Sequence, residues 1–481
     1  VNGGIFNPYE ASALDHSTIH SGDIMRQTNC VLALTIAALF TGCGGVDDSV
    51  CIDDHKPRKN FSAEIVFGDS LADVGTYAVG TVAALGGGKY TINGDFTGNS
   101  PALTGKVWPE LIAGILHVPE PCAAQTGLDG DASLGFSVPV VNHAGCYGYA
   151  QGGARVTNPI GLQNRQTGSP LGQLTVPVVT QIANHLAAAG GRFKGDEVVF
   201  VTAGGNDLRA LLECLTTCVA AEGAAAAEAK FISVLPSLLA THASNPATAA
   251  AAIAAALKTE AARAGHTLAS LTQVAVTEAA RQAGNTAISD PAVCGPLVAT
   301  AQAEADAARA DAEERAVAQH GASAINGMTA AGMELAALVN NQLIGNGANF
   351  VVVNSLPDVS SSPGARAMPE AIQALIKAMV AAFNAQLSAG LSGERKVLLI
   401  NLFALTHDQA AFPASYGLTN TTMPACGPNQ LGGSSLVCTL QNLQPGDVSH
   451  YMFADGFHPT PYEHALVARF IRNQMMYRGW L

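Results

Sequence analysis

Four short runs rich in β-branched and other apolar residues punctuate the chain: Glu64–Phe67, Glu197–Thr202, Phe350–Asn354 and Lys396–Leu402. Polar residues do not alternate through them, and a strand without alternation is one covered on both faces, as in a parallel sheet. Each run gives way to a turn and then to apolar positions at helical spacing. That spacing predicts helices over Pro109–Leu116, Val176–Ala189, Gly327–Ile344, Pro369–Leu387 and Pro461–Tyr477. Pro461 suits the start of the last, because a proline in the first turn forfeits only an N–H that has no intrahelical acceptor. Strands alternating with helices predict an α/β layered protein in place of separate all-α and all-β domains.

The segment from about Glu213 to Ala324 breaks this pattern. It is alanine-rich and poor in aromatics, with stretches such as "AEADAARADAEERAVAQ" whose charges recur around a helix. Alanine is the best helix former, so the segment is expected to be a helical hairpin or small bundle inserted into the sheet domain. It follows the Glu197–Thr202 run, which roots it at the carboxyl end of the sheet, where open α/β folds bind ligands. A lid and a solvated appendage both fit that placement.

The amino-terminal pattern is of another kind. Met25-Arg26-Gln27 precedes an apolar run from Cys30 to Phe40, followed by "TGCGG". At roughly 11 residues the run is too short for a spanning helix, which needs about 20, and it reads as a secretion signal over residues 25–42. Met25 makes the better start, so residues 1–24 are expected to be an upstream extension. Gly42-Cys43 resembles a bacterial lipobox, although Phe40 stands where leucine is usual. The resemblance implies acylation of Cys43 and membrane attachment through it, with simple cleavage and release as the alternative. The expected location is outside the cytoplasm, in the periplasm or at the outer membrane or cell surface. Residues 43–62 then form a linker and 63–481 one domain.

Composition narrows the partners. The 481 residues carry a formal net charge of −13, which leaves no broad cationic field to hold phosphate backbones, so nucleic acid is not an expected partner. Setting aside Cys30 and Cys43, eight of the ten cysteines remain: Cys51, Cys122, Cys146, Cys214, Cys218, Cys294, Cys426 and Cys438. An even number in an exported chain predicts disulfides. Spacing does not dictate the pairing, but Cys122–Cys146 and Cys426–Cys438 would each staple a Gly/Pro-rich loop. No CxxC pair occurs, and Cys214 and Cys218 have no histidine nearby, so neither metal nor cofactor is expected.

Four stretches carry candidate chemistry. "FGDSLADVG", Phe67 to Gly75, puts Ser70 just past an apolar run; alone, such a serine is more often a helix cap than a nucleophile. "YAQGGARV", Tyr149 to Val156, has consecutive glycines where a backbone can approach a ligand closely. "VTAGGND", Val201 to Asp207, puts Asn206 directly beyond a buried strand. "FADGFHPTPYEH", Phe453 to His464, sets Asp455 three residues before His458 ahead of the last helix. A fifth stretch, "ALGGGKYT", fails as a phosphate loop because Ala83 stands where the first glycine belongs and Tyr90 follows the lysine.

Taken together and in this order, the four stretches resemble those of the GDSL or SGNH hydrolase family. The resemblance spans roughly residues 63–208 and 350–478 and leaves the alanine-rich segment outside. It implies a flavodoxin-like three-layer α/β/α sandwich with a mainly parallel sheet. It also implies a serine hydrolase of carboxylic esters, with Ser70 as nucleophile, His458 as general base and acid, and Asp455 as the carboxylate that fixes the imidazole tautomer. The oxyanion hole would comprise the Ser70 and Gly153 backbone N–H groups and the Asn206 side-chain amide, with Gly152 the competing glycine. Asp69 is expected to orient the turn through backbone hydrogen bonds, Asp73 and Gly75 to shape the start of a helix, and His464 to be a packing or surface residue of the last helix. The substrate is expected to be a lipid or simple acyl ester, with pockets near Gly86–Leu103 or Cys122–Cys146. Transfer of the acyl group to another alcohol, and a non-catalytic lipoprotein that binds acyl ligands or a partner, are the rival functions.

Overall fold

Residues 59–94 and 105–481 are described by a computed structural model. The expected extension 1–24, the signal 25–42, Cys43, most of the 43–62 linker and Cys51 lie outside the described residues. In chain order the elements are β1 (Glu64–Gly68), α1 (Gly80–Ala84), α2 (Trp108–Leu116), β2 (Gln125–Asp129), β3 (Ser137–Asn142), α3 (Val178–Ala188) and β4 (Val198–Thr202). Four helices follow: α4 (Gly205–Leu239), α5 (Pro246–Ala261), α6 (Leu268–Arg281) and α7 (Pro291–Leu338). The chain then runs through β5 (Phe350–Asn354), α8 (Pro363–Arg366), α9 (Glu370–Gly390), β6 (Val397–Ile400), α10 (Leu402–Ala411), β7 (Asn420–Pro424), β8 (Tyr451–Phe453) and α11 (Pro461–Tyr477).

The four apolar runs form one parallel sheet in the order β1-β4-β5-β6. Each strand feeds both faces. Ile65, Phe67, Val199, Val201, Val351 and Val353 point into a core shared with α3, α9 and the inner ends of α4 and α7. Val66, Val198, Phe200, Val352 and Ile400 point into a second core with α2, α10 and α11. Covering on both sides accounts for the missing polar alternation. The fold is α/β, with its sheet buried between helices.

The chain from Tyr147 to Gln151 lies along the free edge of β1. Val66 N–H donates to Tyr147 O at 3.0 Å, Tyr149 N–H to Val66 O at 2.7 Å and Gln151 N–H to Gly68 O at 3.1 Å. This edge delivers the glycine pair that follows to the carboxyl end of β1. The sheet's order brings the carboxyl end of β4 to the same place.

Between β4 and β5, α4 to α7 have a core of their own that includes Phe231, Leu235, Ile253, Leu257, Leu271 and Ile288. Two expectations are corrected here. Helix begins at Gly205, not near Glu213, so Asn206 lies in the first turn of α4. Gly327–Ile344 is not a helix of its own, because α7 runs unbroken from Pro291 to Leu338 before a π turn over Val339–Leu343.

The disulfides Cys122–Cys146 and Cys426–Cys438 are both present, with Cα atoms 4.9 and 6.0 Å apart. They are consistent with an extracellular or secreted protein. Cys214, Cys218 and Cys294 are free thiols, so the even count did not mean full pairing.

Candidate active site

Ser70 sits where β1 breaks off. Gly68 has φ +153°, and a Cβ there would meet Thr202 O at 2.2 Å, so only glycine lets β1 close so tightly on β4 before turning. The Gln181 side chain grips the same peptide, accepting from Gly68 N–H and donating to Gly68 O, each at 2.8 Å. Asp69 then orders the turn: its N–H donates to Thr202 O at 3.1 Å, and its Oδ1 accepts from Leu71 N–H at 3.1 Å. Asp73 Oδ1 accepts from the N–H groups of Gly75 at 2.9 Å and Thr76 at 2.7 Å. No helix starts at Ser70; the next, α1, begins at Gly80. The helix-cap reading of Ser70 is therefore excluded, and Asp73 and Gly75 order a turn, not the helix start expected of them.

Asp455 and His458 lie in the turn between β8 and α11. Asp455 Oδ1 accepts from the backbone N–H groups of Phe457 at 3.1 Å and His458 at 2.9 Å. Its Oδ2 accepts from Ser435 N–H at 2.9 Å and from His458 Nδ1 at 2.8 Å. With the Nδ1 proton committed to the carboxylate, Nε2 has a lone pair for the Ser70 hydroxyl, whose Oγ stands 2.9 Å away. All three side chains are buried. Burial pushes the Asp455 carboxyl up, but the charge and hydrogen bonds of His458 and the Ser435 N–H outweigh it and hold the group well below the usual carboxylate range. Asp455 is thus anionic wherever the imidazole needs a partner.

The three expected N–H donors converge on the same end of the sheet. Gly152 N–H donates to Asp73 Oδ2 at 2.9 Å, whereas among the described residues neither Ser70 N–H nor Gly153 N–H has an acceptor. Gly153 has φ +80°, and a Cβ there would lie 2.4 Å from Leu162 O. Asn206 Nδ2 gives one hydrogen to Ala154 O at 2.9 Å, which fixes the amide beside the glycine pair and leaves its second hydrogen. Asp207 clasps the same segment, accepting from Arg155 Nε at 2.9 Å and Val156 N–H at 3.0 Å.

Other neighbours were not singled out by motif. The Tyr90 ring lies 4.8 Å from the His458 ring, centroid to centroid, and its hydroxyl bonds to Gln173. Tyr90 stands in the stretch rejected as a phosphate loop, so the tyrosine that spoiled that pattern is the residue that packs on the imidazole. Arg209, one turn beyond Asn206, stacks on Phe457 at 4.1 Å. Burial, with repulsion from Asp207 and Asp73, raises Asp69 to about 7, despite the hydrogen bond from Leu71 N–H. His464 is a packing residue of α11: its Nδ1 accepts from Trp108 N–H at 3.2 Å, and burial lowers it to about 3.

Two cavities adjoin these residues. One, about 70 Å³, is walled by Leu71 and Phe457, the chain neighbours of Ser70 and His458, with Thr202, Leu402, Phe453 and Val467. The other, about 430 Å³ and more polar, includes Gln125, His143 and Gln151 and falls in the Cys122–Cys146 region, where a pocket was expected. Among the described residues no group of three or more His, Cys, Asp or Glu side chains is placed to hold a metal.

The arrangement joins a carboxylate, an imidazole and a hydroxyl in one hydrogen-bonded line on an α/β frame. The model of the GDSL-like lipase/acylhydrolase family matches residues 304–471. That span includes Asp455 and His458; Ser70, Gly153 and Asn206 lie before it. GDSL esterase/lipase 7 of Arabidopsis thaliana is similar at 38% identity over 69 residues, 14% of this chain, and the chain spans 18% of that relative's length. Over these stretches the chain is similar to the GDSL-like lipase/acylhydrolase family.

Proposed function

We propose that the protein is an exported serine hydrolase of carboxylic esters, working through an acyl-enzyme on Ser70. The observation that carries this reading is the continuous hydrogen-bonded line from Asp455 Oδ2 through His458 to Ser70 Oγ, at 2.8 and 2.9 Å. His458 Nε2 takes the hydroxyl proton as Oγ attacks the ester carbonyl carbon. The charge that develops on the carbonyl oxygen is met by the Ser70 and Gly153 N–H groups and by the second amide hydrogen of Asn206. The imidazolium, stabilised by Asp455, then protonates the departing alcohol. Water enters by the same route in reverse, giving its proton to His458 and releasing the acid. On this reading the helices on either side of the sheet make a three-layer sandwich, and α4–α7 are an insertion between β4 and β5. Lipid attachment at Cys43 belongs to the same proposal and is checked by the mass of the processed amino terminus.

The test is Ser70→Ala. Hydrolysis of a short-chain 4-nitrophenyl ester is expected to disappear while the thermal melt stays within a degree or two of wild type. Undiminished hydrolysis by a well-folded variant would reject the assignment.

A further inference from the structure

The glycine pair proposed to meet the oxyanion sits in a tight turn. Ala154 N–H donates to Gln151 O at 3.0 Å, closing residues 151–154 around Gly152 and Gly153. Gly153, the third residue, has φ +80°, while Gly152, the second, lies outside the left-handed region; that is the pattern of a type II turn. Types I and II differ chiefly in their central peptide: ψ before it and φ after it change by roughly 150° and 170°, which turns its carbonyl and N–H over. With glycine on both sides, no Cβ opposes that flip. The central peptide here joins Gly152 O to Gly153 N–H, so flipping it would put a carbonyl where the oxyanion needs a donor.

Two tyrosines hold this peptide. Tyr77 is fully buried, and its Oη donates to Gly152 O at 2.8 Å. The same oxygen accepts from Thr175 N–H at 3.3 Å. Thr175 has φ +51°, a costly conformation for a β-branched residue, and in it spends its N–H on the tyrosine. Tyr90 fills the space beside Gly152: a Cβ there would collide with Oη, Cζ and Cε2 of Tyr90, its three nearest atoms. The Tyr90 ring thus touches both Gly152 and the His458 imidazole, 4.8 Å away between centroids. The chain beyond it is tied to the His458 turn, where Thr91 Oγ1 donates to Pro459 O at 3.0 Å.

We infer that Tyr77 and Tyr90 are positioning residues of the oxyanion hole. Tyr77 latches the Gly152–Gly153 peptide with the Gly153 N–H turned to the substrate carbonyl, and the Tyr90 ring sets the distance from that peptide to the base. The inference rests on the hydrolase reading and adds to it the two side chains that keep the glycine donor in place. Neither tyrosine touches the ester. The Tyr77 bond also polarises the peptide it holds, which strengthens the N–H at the other end as a donor.

The experiment measures kcat and KM for 4-nitrophenyl butyrate, and Ki for an aliphatic trifluoromethyl ketone whose adduct with Ser70 places an oxyanion in the hole. Rates are normalised to the fraction of enzyme whose Ser70 is labelled by a small fluorophosphonate. Tyr77→Phe deletes one oxygen and is expected to lower kcat at least tenfold, towards the roughly 100- to 1,000-fold that a whole donor is worth, with KM within threefold and Ki rising in step. Tyr90→Leu is expected to lower kcat likewise, but by less than threefold when Gly152 is already alanine, because the collision with that Cβ leaves with the ring. A labelled Tyr77→Phe enzyme with wild-type kcat, or with a lowered kcat and an unmoved Ki, overturns the inference, and so does a full Tyr90→Leu loss in the Gly152→Ala background. If the variants do not fold, a crystal structure of the wild-type fluorophosphonate adduct decides: the phosphoryl oxygen is expected on Gly153 N–H with Tyr77 Oη still on Gly152 O, and a flipped peptide or a broken Tyr77 bond overturns the inference. If wild-type Ser70 is not labelled at all, the hydrolase reading falls and takes this inference with it; labelling with unaffected variants sinks only the inference.

Discussion

Replacing Asn206 by alanine separates transition-state stabilisation from the work of the dyad. The side chain is 4% exposed in the first turn of α4, and one amide hydrogen is held by Ala154 O at 2.9 Å. That bond fixes the plane of the amide, so its second hydrogen has a set direction before substrate arrives. Losing one such preorganised donor raises the barrier by about 2.7–4 kcal/mol, roughly 100- to 1,000-fold in kcat. The developing oxyanion gains more from this donor than the neutral carbonyl does, so KM is expected to stay within about threefold. The same substitution leaves Ala154 O without its amide, at a stability cost of about 1–3 kcal/mol, which a melting curve will register as a drop of a few degrees. Saturation kinetics on a short-chain 4-nitrophenyl ester, well below the melt, read both constants. A kcat within fivefold of wild type would refute the placement of Asn206 in the oxyanion hole.

Two further expectations concern the frame around the site. Ser435, whose N–H holds Asp455 Oδ2, lies inside the loop closed by Cys426–Cys438, so the double variant Cys426→Ser/Cys438→Ser is expected to lose about 3 kcal/mol of stability and also to lower kcat; wild-type melting and turnover together would show that the loop needs no staple. Glu463 has its carboxyl raised in the fold, from the ordinary 4.5 to about 8, so its contribution to stability is intact below the unfolded value and declines as pH rises towards 8, by about 1.4 kcal/mol per pH unit while the folded group keeps its proton. Melting temperatures of wild type should therefore fall relative to Glu463→Gln between pH 5.5 and 8, and parallel curves would contradict a neutral buried carboxyl.

The sheet was legible because strands buried on both faces have no polar alternation to confuse with anything else: Phe350–Asn354 was placed residue for residue, and the other three within two residues at either end. The site stretches were legible for a related reason, since Ser70 and Asn206 each follow directly on such a strand and Asp455 and His458 share one turn. What local pattern could not show was pairing at a distance. The Tyr147–Gln151 edge is held by backbone bonds to Val66 and Gly68, which no side chain advertises. Tyr90 reaches His458 across 368 residues of chain, and the smaller cavity draws its wall from segments as far apart as Leu71 and Val467. The continuity of α7 was missed because alanine favours helix so evenly that neither Gly321 nor Gly327 stops it. The free thiols were missed because a count of cysteines says nothing about which ones meet.

The central claim is that one hydroxyl, made nucleophilic by one imidazole, does the chemistry. Incubating the folded protein with a fluorophosphonate and mapping the adduct by peptide mass tests it directly. The account predicts a single adduct on the peptide carrying Ser70, formed at least 100-fold more slowly in His458→Ala. An adduct on a different serine, or none on a protein that melts cooperatively, would contradict it.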